Sequence, residues 1–173
     1  HPDTKIHVID SLSAGGEVDL IVRKLNHLVA EGLDFDQVVD GITAYQAKTK
    51  LLFVLAKVDN LVKNGRLSKL VGTVVGLLNI RMVGEASKTG TLELLQKARG
   101  QKKAIKAAFD ELLKAGYAGG HITIAHRNND KFIEQFSELV REKFAQASIE
   151  VLPTSGLCSF YAEEGGLLMG YEI

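Results

Sequence analysis

Residues 51–56, Leu-Leu-Phe-Val-Leu-Ala, form the longest clean apolar run in the chain. Within this run, Leu51-Leu52-Phe53-Val54-Leu55 predicts a strand that is buried on both faces, because no polar residue alternates with the apolar ones. A strand of this kind has to be covered on both sides by other elements, and the sequence on either side supplies strands and helices.

On the N-terminal side, the sequence predicts one short strand and two helices. Lys5–Asp10 is rich in β-branched residues and ends in Asp-Ser, as a strand that runs into a turn does. From Gly15 to Ala30 the apolar residues keep to one helical face, and Gly32 is well placed to end that helix in a left-handed conformation. Asp34 is the expected N-cap of a second helix.

On the C-terminal side, helices and strands are interleaved. Helices are predicted over Val58–Val62, Leu67–Leu78, Gln101–Leu113 and Asn129–Phe144. Strands are predicted over Ile80–Glu85, Thr91–Ala98, His121–His126, Ser148–Leu152, Leu157–Ala162 and Leu167–Ile173. The turns at Lys88–Gly90 and Glu163–Gly166 predict two hairpins. The pattern therefore indicates an α/β or α+β fold with a mixed sheet.

The composition excludes several classes of protein. The chain has 173 residues, of which 46% are apolar and 24% charged, as in an ordinary globular protein. Lys+Arg and Asp+Glu are both 21, so the net charge is zero and the basic excess typical of proteins that coat duplex nucleic acid or an anionic membrane is missing. No apolar run approaches the roughly 18 residues of a membrane helix, and the polar start His1–Thr4 has no signal-peptide pattern. We therefore expect a cytoplasmic protein without stable membrane insertion.

The histidines and the single cysteine predict neither a metal site nor a catalytic nucleophile. His121 and His126 lie five residues apart on one predicted strand, so their side chains point to opposite faces and cannot share a metal ion. Cys158 stands alone, which excludes an internal disulfide, and in its apolar surroundings it is expected to pack as a small hydrophobe.

Two features could bind an anion. The Ser11–Gly16 turn precedes a helix and could offer backbone N–H groups to a phosphate, although a tight turn without any ligand explains it equally well. Arg66 and Arg99 each stand beside a glycine, and arginine suits bidentate recognition of carboxylate or phosphate. Arg99 shares a local face with Lys102, Lys103 and Lys106, a cluster that could also be a solvated helix face.

The order of the motifs resembles the C-terminal part of the DegV family of bacterial fatty-acid-binding proteins. Five pieces carry the resemblance, namely Val8-Ile9-Asp10-Ser11 with Gly15-Gly16, Leu61-Val62-Lys63-Asn64-Gly65-Arg66-Leu67-Ser68, Leu77-Leu78-Asn79-Ile80-Arg81-Met82-Val83, Lys97-Ala98-Arg99-Gly100 with Lys102-Lys103-Ala104, and Ile122–His126 with Asn128. The resemblance covers nearly the whole chain, and the order of the motifs makes it specific.

The resemblance implies a fold and a domain division. It implies an α/β, two-layer domain over residues 48–173, with a mixed, largely antiparallel sheet packed with helices. Residues 1–47 are then the remnant strand and helices of a first domain, most of which lies outside this chain.

The resemblance also implies a function. Family members enclose a long-chain fatty acid in an apolar tunnel and present its carboxylate to a separate fatty acid kinase, so the protein is expected to have no enzymatic activity of its own and no cofactor. The implied ligand-binding residues are Asp10, Ser11, Gly15, Arg66 and Tyr161, and those facing a partner or a phosphate are Arg99, Lys102 and Lys103.

The sequence departs from the family pattern at two places, and two other interpretations stay open. Tyr161 stands where many members have a histidine, and a phenol can donate a hydrogen bond but carries no positive charge. Arg81-Met82 replaces the Lys-Pro of the family pattern.

The first alternative is an enzyme domain with a phosphate site at the Ser11–Gly16 turn and Arg66. The second is an interaction domain in which the tunnel is closed.

Overall fold

The computed structural model describes residues 4–67 and 79–173. In these residues the chain forms twelve elements, which are α1 (Gly16–Ala30), α2 (Phe35–Gln46), β1 (Thr49–Leu55), α3 (Asp59–Lys63), β2 (Ile80–Ala86), β3 (Leu92–Arg99), α4 (Gln101–Lys114), β4 (His121–His126), α5 (Asp130–Lys143), β5 (Ser148–Pro153), α6 (Gly156–Ala162) and β6 (Leu167–Glu172). The helix predicted over Leu67–Leu78 lies, apart from Leu67, outside the described residues.

The strands form one mixed sheet in the order β3-β2-β1-β6-β4-β5. Only β4 and β5 pair in parallel, and the other four pairings are antiparallel. The predicted mixed, largely antiparallel sheet packed with helices is therefore confirmed. Strand β1, predicted from its apolar run, lies inside the sheet between β2 and β6, and all of its residues except Lys50 are buried.

The side chains of β1 alternate between two hydrophobic clusters. Leu52 and Val54 belong to a large cluster beneath α4 and α5. Phe53 and Leu55 belong to a smaller cluster on the opposite face, packed with residues of α3 and α6. Helices therefore cover both faces of the sheet, as a strand apolar on both sides requires.

Helix α1 lies directly against the sheet because glycines remove the side chains at the crossing. A Cβ atom at Gly16 would overlap the carbonyl oxygen of Thr123 in β4, and one at Gly170 in β6 would overlap the backbone of Glu17. The buried Glu17 carboxylate accepts a hydrogen bond of 2.8 Å from the Thr49 hydroxyl. The first turn of α1 is thus held between β1, β4 and β6.

Helix α2 begins as the sequence predicts. Asp34 accepts a hydrogen bond from the backbone N–H of Gln37, and the Gln37 side chain accepts one from the Asp34 N–H, which completes a capping box. The predicted domain boundary after residue 47 falls just before β1 and stays a prediction.

The strand predicted over Lys5–Asp10 is wrong. Residues 4–10 form no regular secondary structure and pair with no strand in the described part of the chain. Ile6 and Val8 are 80% and 81% exposed, so neither apolar side chain finds a buried face. The segment is held at its ends, where Lys5 contacts the Asp36 carboxylate at 2.8 Å and the Asp10 carbonyl accepts a hydrogen bond from Gln46.

The strand predicted over Leu157–Ala162 is also wrong, because this segment is helix α6. The residues Cys158, Tyr161 and Ala162 have the i, i+3, i+4 spacing of one helical face, and that face lies against the sheet. The expected terminal hairpin is therefore absent from the described structure, and β6 pairs instead with β1 and β4.

Candidate functional site

The face of the sheet that carries α3 and α6 encloses an apolar cavity of about 490 Å³. Its walls include Phe53, Leu55, Leu61, Leu92, Ala162 and Leu168, which come from five different elements, and the segment 12–14 before α1 closes one side. The size falls within the range of about 300–1,000 Å³ that is typical of small-molecule sites. We call this space the apolar cavity.

Two polar side chains, Arg66 and Tyr161, meet at the wall of the apolar cavity. The Arg66 Nε–H donates a hydrogen bond of 2.9 Å to the Tyr161 hydroxyl oxygen, and the guanidinium carbon lies 5.2 Å from the centre of the Tyr161 ring. This contact uses one of the five N–H donors of the guanidinium and leaves the phenol proton available. The pair can therefore present several donors to one acceptor, as a carboxylate requires.

Local structure explains how residues 95 positions apart in sequence come together. Gly65 has a φ of 67° and ends the turn after α3, so the chain reverses and brings Arg66 back towards the sheet. Helix α6 turns Tyr161 inward while Phe160 remains 44% exposed, and the two rings pack edge to face at 5.0 Å. The sequence could suggest each residue separately but not their contact.

The predicted residues Asp10 and Ser11 shape the turn beside the cavity. The Asp10 carboxylate accepts a hydrogen bond from the Leu12 N–H, and the Ser11 hydroxyl oxygen accepts one from the Ser13 N–H. Ser11 lines a neighbouring polar depression rather than the apolar cavity. Gly15 has a φ of 59°, and a Cβ there would come within 2.9 Å of the Leu168 Cβ, so only glycine suits this position.

Sequence reasoning missed Ser13. Its hydroxyl is buried, lines the apolar cavity and has no hydrogen-bond partner among the described residues. A buried hydroxyl without a partner is costly, so a ligand atom that pairs with it is favoured. The signal was present in the sequence, since Ser13 lies between the predicted residues Ser11 and Gly15.

The predicted basic cluster lies elsewhere. Arg99 ends β3, and Gly100, with a φ of 84°, links it to α4, on which Lys102 and Lys103 are exposed. None of these three cations lines the apolar cavity. The structure therefore brings Arg66 and Tyr161 together and separates them from Arg99, Lys102 and Lys103.

The structure places Cys158 at the apolar cavity and His126 at the end of β4. Cys158 lines the apolar cavity from α6 instead of packing in a strand. His126 accepts a hydrogen bond of 3.2 Å on Nδ1 from the Asn129 N–H. Within residues 4–67 and 79–173, no group of three or more His, Cys, Asp or Glu residues could hold a metal ion.

The same described ranges contain no helix with the length and apolar character needed to cross a bilayer.

Comparison with protein families gives one match over almost the whole chain. The family model described as "Uncharacterised protein, DegV family" matches residues 1–171. A DegV domain-containing protein of Streptococcus pneumoniae is 79% identical over all 173 residues. Another, of Streptococcus gordonii, is 75% identical over the same length. The chain spans 62% of the length of each of these relatives.

Solved structures with the same fold contain fatty acids. The B3 protein of the Streptococcus pneumoniae fatty acid kinase, loaded with linoleic acid, matches with a TM-score of 0.98 and 79% identity, over 100% of this chain and 62% of that one. A DegV family protein of Eubacterium eligens, loaded with heptadecanoic acid, matches with a TM-score of 0.95 and 37% identity, over 99% of this chain and 62% of that one.

Proposed function

The chain belongs to the DegV family, and from this premise we propose that its apolar cavity holds the acyl chain of a long-chain fatty acid. In the proposal Arg66, Tyr161 and Ser13 bind the carboxylate. The observation that carries it is an apolar cavity whose wall, among the described residues, holds the Arg66–Tyr161 pair and the unpaired Ser13 hydroxyl.

The chemistry of the lining favours an acyl chain over a polar metabolite. Each methylene group removed from water contributes about 0.8 kcal/mol, so ten buried methylenes contribute roughly 8 kcal/mol before the costs of binding. A sugar or nucleotide in the same space would leave its hydroxyl groups against Leu55, Leu92 and Leu168 without partners. The fatty acids held by the two structurally similar proteins support the same ligand class.

The carboxylate end of the ligand has donors of the required kind. Arg66 supplies the positive charge that Tyr161 lacks, and the two are already in contact. A charged donor to a carboxylate contributes about 1.5–3 kcal/mol, and a neutral hydroxyl about 0.5–1.5 kcal/mol. Arg66 is therefore the stronger determinant of carboxylate binding in this proposal, with Tyr161 second.

We further propose that the protein carries its ligand to a separate, cytoplasmic fatty acid kinase and performs no chemistry itself. The Streptococcus pneumoniae relative is the B3 protein of a fatty acid kinase, which supports this role. In the described residues, the cavity wall holds no histidine or carboxylate that could activate the Cys158 thiol. Arg99, Lys102 and Lys103 are exposed cations away from the cavity and remain the proposed surface for the kinase or its phosphate.

The alternative of a phosphate-binding enzyme is disfavoured by the start of α1. Gly16 packs against the carbonyl oxygen of Thr123, and Glu17 packs against Gly170, so the first turn of the helix faces the sheet. A phosphate at the Ser11–Gly16 turn would have to displace this packing. Arg66 meanwhile contacts Tyr161 rather than the turn.

The test is to identify and titrate the ligand of the complete protein. Native mass spectrometry should detect a co-purifying fatty acid, and delipidated protein should bind linoleic acid saturably. Filling the cavity with Cys158→Phe should weaken binding at least tenfold, whereas Cys158→Ser, which leaves the volume unchanged, should alter it by less than about threefold. Equal affinity of these two variants would place the ligand outside the apolar cavity.

A second titration tests the carboxylate site. Arg66→Met should weaken binding of the free acid by roughly 10- to 100-fold, and Tyr161→Phe by roughly 2- to 10-fold. With the methyl ester as ligand, Arg66→Met should bind nearly as the parent protein does, because the ester has no charge for the guanidinium to pair, whereas Tyr161→Phe should keep its small loss, since a phenol can also donate to the ester carbonyl. A similar loss for acid and ester would show that Arg66 acts only on the shape of the cavity.

A further inference from the structure

A second cavity, of about 560 Å³, lies at the end of the sheet where β2, α4 and α5 all begin. Arg81 of β2, Gln101 at the first position of α4, and Asn129 before α5 contribute to its wall, together with Gly165 from the turn before β6. It shares no lining residue with the apolar cavity. We call it the Arg81 cavity.

The Arg81 side chain is half-buried, and two of its three guanidinium nitrogens are buried without a partner among the described residues. Its Nε and Nη1 atoms are inaccessible and have no hydrogen-bond acceptor among the described residues, and the same holds for the Gln101 Nε2 atom. Burial lowers the pKa of Arg81, but an arginine in a protein stays protonated. Three buried donors, two of them on a cation, therefore lie at one cavity without an acceptor, which is an expensive arrangement unless something pairs with them.

The backbone around the Arg81 cavity contributes partial positive charge. Helices α4 and α5, each of 14 residues, both start at its wall. The free N–H groups of a helix start carry a partial positive charge, so two starts at one cavity both favour an anion. Lys131 in the first turn of α5 contributes a full charge to the same wall.

Two carboxylates, Asp130 and Glu164, also line the Arg81 cavity. Glu164 accepts a hydrogen bond of 3.2 Å from Asn128 and lies 3.7 Å from the Arg127 Nε. The Asp130 side chain is 92% exposed and lies nearest to His126, at 3.8 Å. Neither carboxylate contacts Arg81 in the described structure, so the guanidinium has no protein counterion there.

We propose that the Arg81 cavity is a binding site for a small oxyanion, with Arg81 and Gln101 as the donors that contact it. A carboxylate or a phosphate group fits this site, because both accept two parallel hydrogen bonds from a guanidinium. Gly165 lies beside the guanidinium, where a Cβ atom would be 3.5 Å from Nη1. The site is independent of the fatty acid proposal, because the two cavities have separate walls.

The site is tested on the complete protein by NMR of the arginine side chains. Sodium phosphate and sodium acetate are titrated separately at constant ionic strength, with sodium chloride as the reference. The Arg81 Nε–H resonance should shift saturably with phosphate, with acetate, or with both, and the comparison identifies the preferred oxyanion. If neither phosphate nor acetate shifts the resonance more than chloride does, the proposal is overturned.

Matched variants separate a site from general electrostatics. Arg81→Met should weaken oxyanion binding at least tenfold, and Gln101→Ala by roughly 2- to 5-fold. Arg141→Met also removes one positive charge, but from a position about 16 Å along α5 from the first residue of that helix. This control should change affinity less than twofold. If Arg81→Met disturbs the far-ultraviolet circular dichroism, Arg81→Lys replaces it, since it keeps the charge and loses the bidentate geometry. Affinity as strong in the Arg81 variant as in Arg141→Met overturns the proposal.

Discussion

Alternate residues of the same strands build the two faces of the sheet, yet one face is filled and the other encloses a cavity. Leu52 and Val54 of β1 pack into the large cluster beneath α4 and α5, whose helices have 14 residues each. Phe53 and Leu55 face α3 and α6, which have 5 and 7 residues. In the described part of the chain, these short helices leave space over Phe53 and Leu55, and that space is part of the apolar cavity.

The difference shows that the cavity results from how the sheet is covered rather than from its apolar character. From Leu51 to Leu55, both faces of β1 are apolar and buried. On the filled face, Phe132 and Phe136 stack inside the large cluster with their ring centres 6.0 Å apart. On the cavity face, the gap is closed by the segment 12–14 and by the Arg66–Tyr161 pair. Stability and binding are thus assigned to opposite sides of one sheet.

The largest expected effect is on the filled face. Phe136 is completely buried, so Phe136→Ala should lower the free energy of unfolding by about 3–5 kcal/mol. Leu92→Ala, which shortens a partly exposed side chain at the edge of the apolar cavity, should cost about 1 kcal/mol because it enlarges an existing space. Urea unfolding monitored by circular dichroism gives both values.

The matched measurement is fatty acid binding by the same two variants. Leu92→Ala should weaken binding, whereas the folded fraction of Phe136→Ala should bind as the parent protein does. If both substitutions lower the free energy of unfolding equally, the two faces are packed alike and do not differ as a filled face and a cavity face.

A smaller effect is expected where α1 covers the cavity face. Gly16→Ala places a methyl group against the Thr123 carbonyl, and both backbones have to move, so we expect a loss of about 1–3 kcal/mol in the free energy of unfolding. Gly41→Ala is the control, because its methyl group would meet only the flexible Leu28 side chain, at 3.1 Å. Thermal unfolding of the two variants tests the difference, and equal melting temperatures would show that α1 does not depend on close contact with β4.

The sequence predicted the filled face better than the cavity face. Strand β1 follows from five consecutive apolar residues, and α5 follows from its apolar stripe, since burial on a regular element leaves a periodic pattern. Helix α6 was predicted as a strand because Leu157–Ala162 is short and contains aromatic residues, which favour strands, while seven residues are too few to establish a helical period.

The candidate sites depended even less on local pattern. Resemblance to a family placed Arg66 and Tyr161 near a ligand, but their contact joins α6 to the turn after α3 and has no local signature. Asp10 and Ser11, predicted to bind the ligand, accept hydrogen bonds from backbone N–H groups within the turn. In the sequence, Arg81 is one polar residue in a predicted strand. Only the structure shows that two of its nitrogens are buried without a partner among the described residues and that two helices start beside it.

The smallest expected effect comes from the tyrosines of the filled face. Burial, and then the negative charge of Glu172, raise the pKa of Tyr117 from 10.0 to about 12, and burial also raises the pKa of Tyr171. A raised pKa means that the folded state holds the phenol proton more tightly than the unfolded state. The stability that this contributes is complete below pH 10 and is lost as the pH rises from 10 to 12.

Two phenylalanine variants resolve the contribution of each tyrosine. Between pH 10 and 12 the melting temperature of Tyr117→Phe should fall less steeply than that of the parent, and a parallel decline would assign the alkaline transition to other groups. At pH 8 the two variants should differ in stability, although both tyrosines are buried. Tyr117→Phe loses the 2.8 Å hydrogen bond from the phenol to the Gly120 carbonyl and should be destabilised by about 1 kcal/mol. The Tyr171 hydroxyl is buried without a partner among the described residues, so Tyr171→Phe should be neutral or stabilising, as expected for a filled face that gains nothing from an unpaired polar atom.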